Sequence, residues 1–287
     1  TDQFGNPASR SHRFGRSARD AVEDARSHVA RLINASPKEI IWTSGATEAN
    51  NLAIFGIRQQ AKHARPHIIS VRTEHASVLD PLDRLANNGC DVTLLDVDAA
   101  GRIDIDALRD AITEATTLVS VMSANNEIGV LQDLAGIGRV CQQHDITFHT
   151  DAAQACGKIP LDVRALPVDL LSISAHKMYG PKGIGALYVR RGRPRVRLTP
   201  QLLGGGHERG LRSGTLPVPL IVGFGEAARL AYDEVSTDAI RHLAELRDGF
   251  WRALTSRVDG VHRNGTLSDR LPNNLNLSFD DVDSETL

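Results

Sequence analysis

Between residues 40 and 191 the chain alternates short apolar runs with longer amphipathic stretches, and that alternation admits few folds. IIWTS (40–44), HIISVRT (67–73), DVTLLDV (91–97), TLVSVMSA (117–124), ITFHTDA (146–152), DLLSIS (169–174) and ALYVRR (186–191) have the length and β-branched content of strands. Between them, 46–60, 77–88 (despite Pro81), 105–113 and 135–145 carry helical spacing, as does 15–34 with Ala21, Val22, Ala25, Val29 and Leu32. Most of the strands are apolar enough to be covered on both faces, which predicts an α/β fold with a mostly parallel central sheet. In such sheets chemistry collects beyond the carboxyl ends of the strands. After residue 235 the pattern changes to one long helical stretch (237–258) and an extended one (271–282). The expected organisation is a large domain over 1–235 and the beginning of a small C-terminal α+β domain over 236–287.

Composition excludes several classes. The 33 Lys and Arg nearly balance 35 Asp and Glu, so no general attraction to nucleic acid or to an anionic membrane is expected. No run of 18 apolar residues and no signal-like start occur, which predicts a cytoplasmic protein with no membrane partner. Cys90, Cys141 and Cys156 are odd in number and lack CxxC spacing, so neither a disulfide framework nor a metal site is expected. The chain opens on Thr1 and closes on Leu287, and the expectation is a partial product of a longer protein.

Several loops fall at predicted strand ends. In TSGATEAN (43–50) a turn at Gly45 leads into a helix start at Ala46 and Thr47, where free N–H groups and hydroxyls form an anion cup. An ordinary capped helix explains that stretch equally well, and no GxxxxGK[ST] loop is present. TEHAS (73–77) brings His75, and ANNEIG (124–129) brings Asn125 and Asn126, side chains that also serve plain turns. HTDAAQACGK (149–158) ends a strand on Asp151, with Gln154 three residues on. SISAHKMYGPKG (172–183) carries Ser174, His176 and Lys177 beside Gly180, Pro181 and Gly183. One cofactor would use the whole set. Pyridoxal 5′-phosphate needs an amine for its aldehyde, a carboxylate for its ring nitrogen and an anion cup for its phosphate.

The chain resembles the pyridoxal-phosphate cysteine desulfurases of the NifS/IscS group, in the class V aminotransferase superfamily. The resemblance runs from FGNPASRSHRFG (4–15) through TSGATEANNLAI, TEHASVLD, NNEIGVLQDL, DAAQACGKIPLD, SAHKMYGPKGIGALYVRR and GGGHERGLRSGTLP (204–217) to NNLNLSF (273–279). It implies a fold-type I large domain, a homodimer, and conversion of L-cysteine to L-alanine with the sulfur held as a persulfide. Sulfur-acceptor or scaffold proteins would then feed iron–sulfur cluster assembly, tRNA thiolation or DNA phosphorothioation.

By that resemblance Lys177 forms the Schiff base and serves as base, Asp151 pairs with the ring nitrogen, and Gln154 bonds the ring's phenolic oxygen. His75 stacks on the ring and helps move protons, while Asn126 lies near the phenolic oxygen and the substrate. Ala46, Thr47, Ser174 and His176 hold the phosphate, and Thr215 reaches the phosphate of the neighbouring subunit. The nucleophilic cysteine and the arginine for the substrate carboxylate are expected beyond NNLNLSF, after Leu287. Cys156, near the site, is expected to pack behind the cofactor loop. Other readings are a different class V enzyme (an aminotransferase or selenocysteine lyase) or a non-catalytic cofactor-binding scaffold.

Overall fold

The computed structural model describes residues 5–9, 11–61, 63–192, 195–235 and 237–283, so readings that touch Thr1, Phe4, Arg10 or Leu287 lie outside it. Helix α1 (Arg13–Leu32) starts where His12 Nδ1 accepts the Gly15 N–H at 3.1 Å, and it buries Ala18, Val22, Ala25 and Val29 along one stripe. There follow β1 (Ile40–Thr43), α2 (Ala46–Arg58), β2 (His67–Val71), α3 (Ala76–Ala86), β3 (Asp91–Leu95) and α4 (Ile105–Ala111). Then come β4 (Thr116–Ser120), α5 (Leu134–Gln143), β5 (Thr147–Asp151), β6 (Leu170–Ser174) and β7 (Gly185–Val189).

These strands form one seven-stranded sheet in the order β1-β7-β6-β5-β4-β2-β3. Strand β7 runs antiparallel to both neighbours, and the remaining pairs are parallel. The carboxyl ends of β1, β2, β4, β5 and β6 therefore share one edge. Side chains alternate between two cores: Ile40 and Trp42 enter one with Phe148 and Phe224, while Ile41 enters the other with Leu52, Ile68 and Leu187.

Three elements differ from the sequence reading. Helix α6 (Val218–Val235), to which no element was assigned, covers one face of the sheet beside α1 and buries Ile221, Phe224, Gly225, Ala228 and Ala231. Beyond α7 (Ala239–Thr255), the extended stretch expected over 271–282 is strand only at β9 (Leu277–Phe279). It pairs antiparallel with β8 (Val261–Arg263), a short strand that the sequence reading missed. Among the described residues no helix is long and apolar enough to cross a membrane.

Candidate active site at the carboxyl edge of the sheet

A cleft of about 520 Å³ opens over that edge, and its walls come from loops distant in sequence. Ala46, Thr47, His75, Asn126, Asp151, Gln154, Ser174, His176 and Lys177, nine of the ten residues singled out above, all line it. The tenth, Thr215, does not; it sits exposed on the loop before α6. That loop is tied back to α2 by Arg212, whose guanidinium donates to both carboxylate oxygens of Glu48 at 2.7 and 3.0 Å.

Asp151 ends β5 and forms the floor. Its Oδ1 accepts the Ala153 N–H at 2.9 Å and its Oδ2 accepts Asn50 Nδ2 at 2.7 Å. Burial pushes its pKa above the ordinary value, against the pull of those hydrogen bonds and of the charges on His75 and Lys177. Among the described residues no cation lies within ion-pair distance of this carboxylate. Asn50 also donates to Ser77 Oγ at 2.9 Å, and Ser77 Oγ lies 2.9 Å from His75 Nδ1. The Ser77 N–H reaches the same ring nitrogen at 3.0 Å, so neutral His75 carries its proton on Nε2. Floor and wall are thus joined through one buried amide.

Lys177 rides on a short 3-10 turn, Ala175–Met178, that follows β6 and ends on Tyr179 in the left-handed region (φ 62°). Its ammonium makes no hydrogen bond or ion pair among the described residues. Beside it Ser174 Oγ and His176 Nδ1 lie 3.0 Å apart. Opposite, α2 begins at Gly45 with no side-chain cap, so the N–H groups of its first turn have no intrahelical acceptor. Strand β7 passes close beneath that turn. A Cβ on Gly185 would sit 2.6 Å from Gly45 Cα and 2.5 Å from Ile173 O, so only glycine lets strand and loop meet there.

The sequence reading missed some of what holds the site. Asn50 bridges Asp151 and Ser77, and its signal was a polar residue on the buried face of an otherwise apolar helix. Glu74, in the stretch already quoted for His75, is buried; its Oε1 accepts the Met122 N–H and its Oε2 has no hydrogen-bond partner among the described residues. Lys158 donates to Gln154 Oε1 at 2.8 Å. Cys156 is fully buried with its thiol pushed up to about 12 by burial, and Cys141, equally inert, is buried on α5.

The sequence pattern of the family described as Aminotransferase class-V matches residues 1–287. Cysteine desulfurase IscS of Neisseria meningitidis (serogroup A, serotype 4A) is 56% identical over 287 residues, covering 100% of this chain and 70% of the relative. That of Methylococcus capsulatus is 55% identical with the same coverage. Among solved structures, a NifS-like protein superposes with a TM-score of 0.93 at 38% identity, covering 99% of this chain and 77% of its own. DndA from Streptomyces lividans gives 0.90 at 41%, covering 100% and 80%. With an amine and a buried carboxylate meeting over one sheet edge, and with relatives this similar along its whole length, the chain belongs to the cysteine desulfurases of the class-V aminotransferase family.

Proposed function

We propose that the cleft binds pyridoxal 5′-phosphate through Lys177 and that the chain uses it to take sulfur from L-cysteine, releasing L-alanine. Cysteine desulfurases depend on this cofactor, and the donor set here fits it. The observation that carries the reading is the pair formed by Lys177 and Asp151: among the described residues, an amine with no hydrogen-bond or ion-pair partner opposite a buried carboxylate with no cation within ion-pair distance. A carboxylate desolvated in this way is favourable only once a positive group meets it, and a protonated ring nitrogen is such a group.

When bound, the cofactor supplies an electron sink for the bonds at the substrate's α-carbon. Asp151 keeps the ring nitrogen protonated, and Asn50 keeps Asp151 in place. Gln154 and Asn126 address the phenolic side. His75, held by Ser77 with its proton on Nε2, would lie against the cofactor ring and could move protons there. The uncapped start of α2 at Ala46 and Thr47, with Ser174 and His176, receives the phosphate. Lys177 Nζ would be the base placed to take the proton from the substrate's α-carbon. Thr215, on its exposed loop, serves the phosphate of a second subunit, which makes the working unit a homodimer. The sulfur passes as a persulfide to acceptor or scaffold proteins for iron–sulfur cluster assembly, tRNA thiolation or DNA phosphorothioation.

The test uses the full-length protein loaded with cofactor. Borohydride reduction and peptide mapping find the cofactor on Lys177, and Lys177→Ala loses it; a reducible link that persists in the variant overturns the reading. Equal amounts of alanine and sulfide from L-cysteine under reductant separate it from an aminotransferase, which yields keto acid.

A further inference from the structure

The loop that carries Gln154 holds a second lysine, to which the chemistry above gives no part. Lys158 is half-buried, and no carboxylate lies within ion-pair distance of it among the described residues. Its ammonium donates to Gln154 Oε1 at 2.8 Å. The loop packs against the turn that carries Lys177. At Gly157 (φ +79°) a Cβ would lie 3.2 Å from Met178 Cβ and 3.1 Å from Ala231 Cβ, a tight fit in a backbone conformation that favours glycine. Burial, then the charge of nearby Lys177, lowers the Lys158 pKa. Placing a second ammonium near Lys177 without a carboxylate is electrostatically unfavourable, which raises the question of its use.

That use lies in the amide. Oxygen and nitrogen of a glutamine are otherwise hard to tell apart, but an ammonium has three donors and no acceptor. The atom facing Lys158 is therefore the oxygen. With Oε1 turned to Lys158, the Nε2 donor pair is the end of the Gln154 amide left for the cleft that it lines.

We propose that Lys158 is a positioning residue that locks the Gln154 amide with its N–H groups toward the cofactor's phenolic oxygen, excluding the flipped amide whose oxygen would repel it. The proposal rests on the reading that the cofactor binds at Lys177, and deepens it. A donor on that oxygen stabilises its anion and so makes the neighbouring link to Lys177 easier to deprotonate. The positive charge of Lys158 alone would act in the same direction, so the experiment must separate charge from orientation.

The readout is the absorbance-monitored pH titration of cofactor bound to full-length protein, in a double-mutant cycle of Lys158→Met and Gln154→Ala. Lys158→Met is expected to raise the apparent pKa of the link by roughly one pH unit, the scale of one hydrogen bond to a charged group. In the Gln154→Ala background the same substitution is expected to move it little. A Lys158→Met titration that superimposes on the parent's overturns the proposal, and so does a shift of equal size without Gln154, which would mark a bare charge effect. If the methionine variant does not fold, Lys158→Gln is titrated and judged by the same two outcomes. Failure of the underlying reading looks different, because the parent protein would then show no titrating link at all.

Discussion

Beside Asp151 lies a second carboxyl group with no role in holding the cofactor. Glu74 is buried, with Met122 N–H on one oxygen and no hydrogen-bond partner for the other among the described residues. Burial first, then the charge of Asp151, pushes its pKa well above the ordinary value; burial raises Asp151 as well. The sign follows from proton counting. Between the ordinary carboxylate range and these raised values the folded chain holds protons that the unfolded chain has released, so stability falls as pH rises through that window. Glu74→Gln keeps an acceptor for Met122 N–H and removes one titrating group. Thermal melts of the cofactor-free protein should then show the variant gaining on the parent as pH rises above the ordinary glutamate range, with no such gain in acid. A gain independent of pH would place the effect in packing instead. Little of this was legible in the sequence. Lys177, Asp151 and His75 declare themselves as reactive types at strand ends, whereas the burial of Glu74 and the bridging by Asn50 follow from which loops meet across the sheet.

The seven strands of the large sheet and most helices were readable because each buries a face with its own period. Ile40, Ile41 and Trp42 go alternately to the two cores, and α1 carries its stripe of Ala and Val. Helix α6 was not, although Val218, Ile221, Gly225 and Ala228 mark one face at three- and four-residue steps. Its flanks are apolar too, and two glycines and a proline weaken the local helical signal. Those glycines make sense only against their partners. A Cβ on Gly225 would lie 2.5 Å from both Cα and Cβ of Ala25, so α1 and α6 cross nearly backbone to backbone. Gly225→Val should force the helices apart and lower unfolding free energy by about 1–3 kcal/mol, as overpacking does, read from urea midpoints. Gly249, on α7, has nothing within 4 Å of such a Cβ. The same substitution there should leave the midpoint nearly unchanged, and a comparable loss at both positions would point to helix propensity rather than the crossing.

At the scale of the molecule, the described residues from 237 on meet the carboxyl edge of the sheet through a loop rather than through their helix. None of the residues of α7 is buried, and Leu246 and Phe250 on it are each 57% exposed. The segment leading to β9 is held differently. Arg270 is buried and donates to Ile128 O and Asn274 Oδ1, both at 2.9 Å, while Asn274 Nδ2 donates to Glu127 O at 3.1 Å. Leu271 N–H in turn donates to Gly129 O at 2.8 Å, and Gly129 (φ +72°) lets Asn274 pack directly on its backbone. These bonds clasp the turn that presents Asn126 to the cleft. Burial, then the charges of Arg247 and Arg263, lowers the Arg270 pKa to about 10, so it remains a cation at neutral pH and its bonds to carbonyl and amide oxygen are charge-assisted. Arg270→Met removes those donors and keeps an apolar stem. Hydrogen exchange should then quicken at the amides of Gly129 and Leu271 by about ten-fold or more, the factor corresponding to roughly 1.4 kcal/mol of lost local stability. Amides in β4 and β5, at the centre of the sheet, should exchange as before. Faster exchange throughout the sheet would show that Arg270 supports the whole fold, and unchanged exchange at Gly129 would show that the turn holds itself. With the clasp confirmed, movement of the segment near β9 would be felt at Asn126 without any change in the residues that touch Lys177.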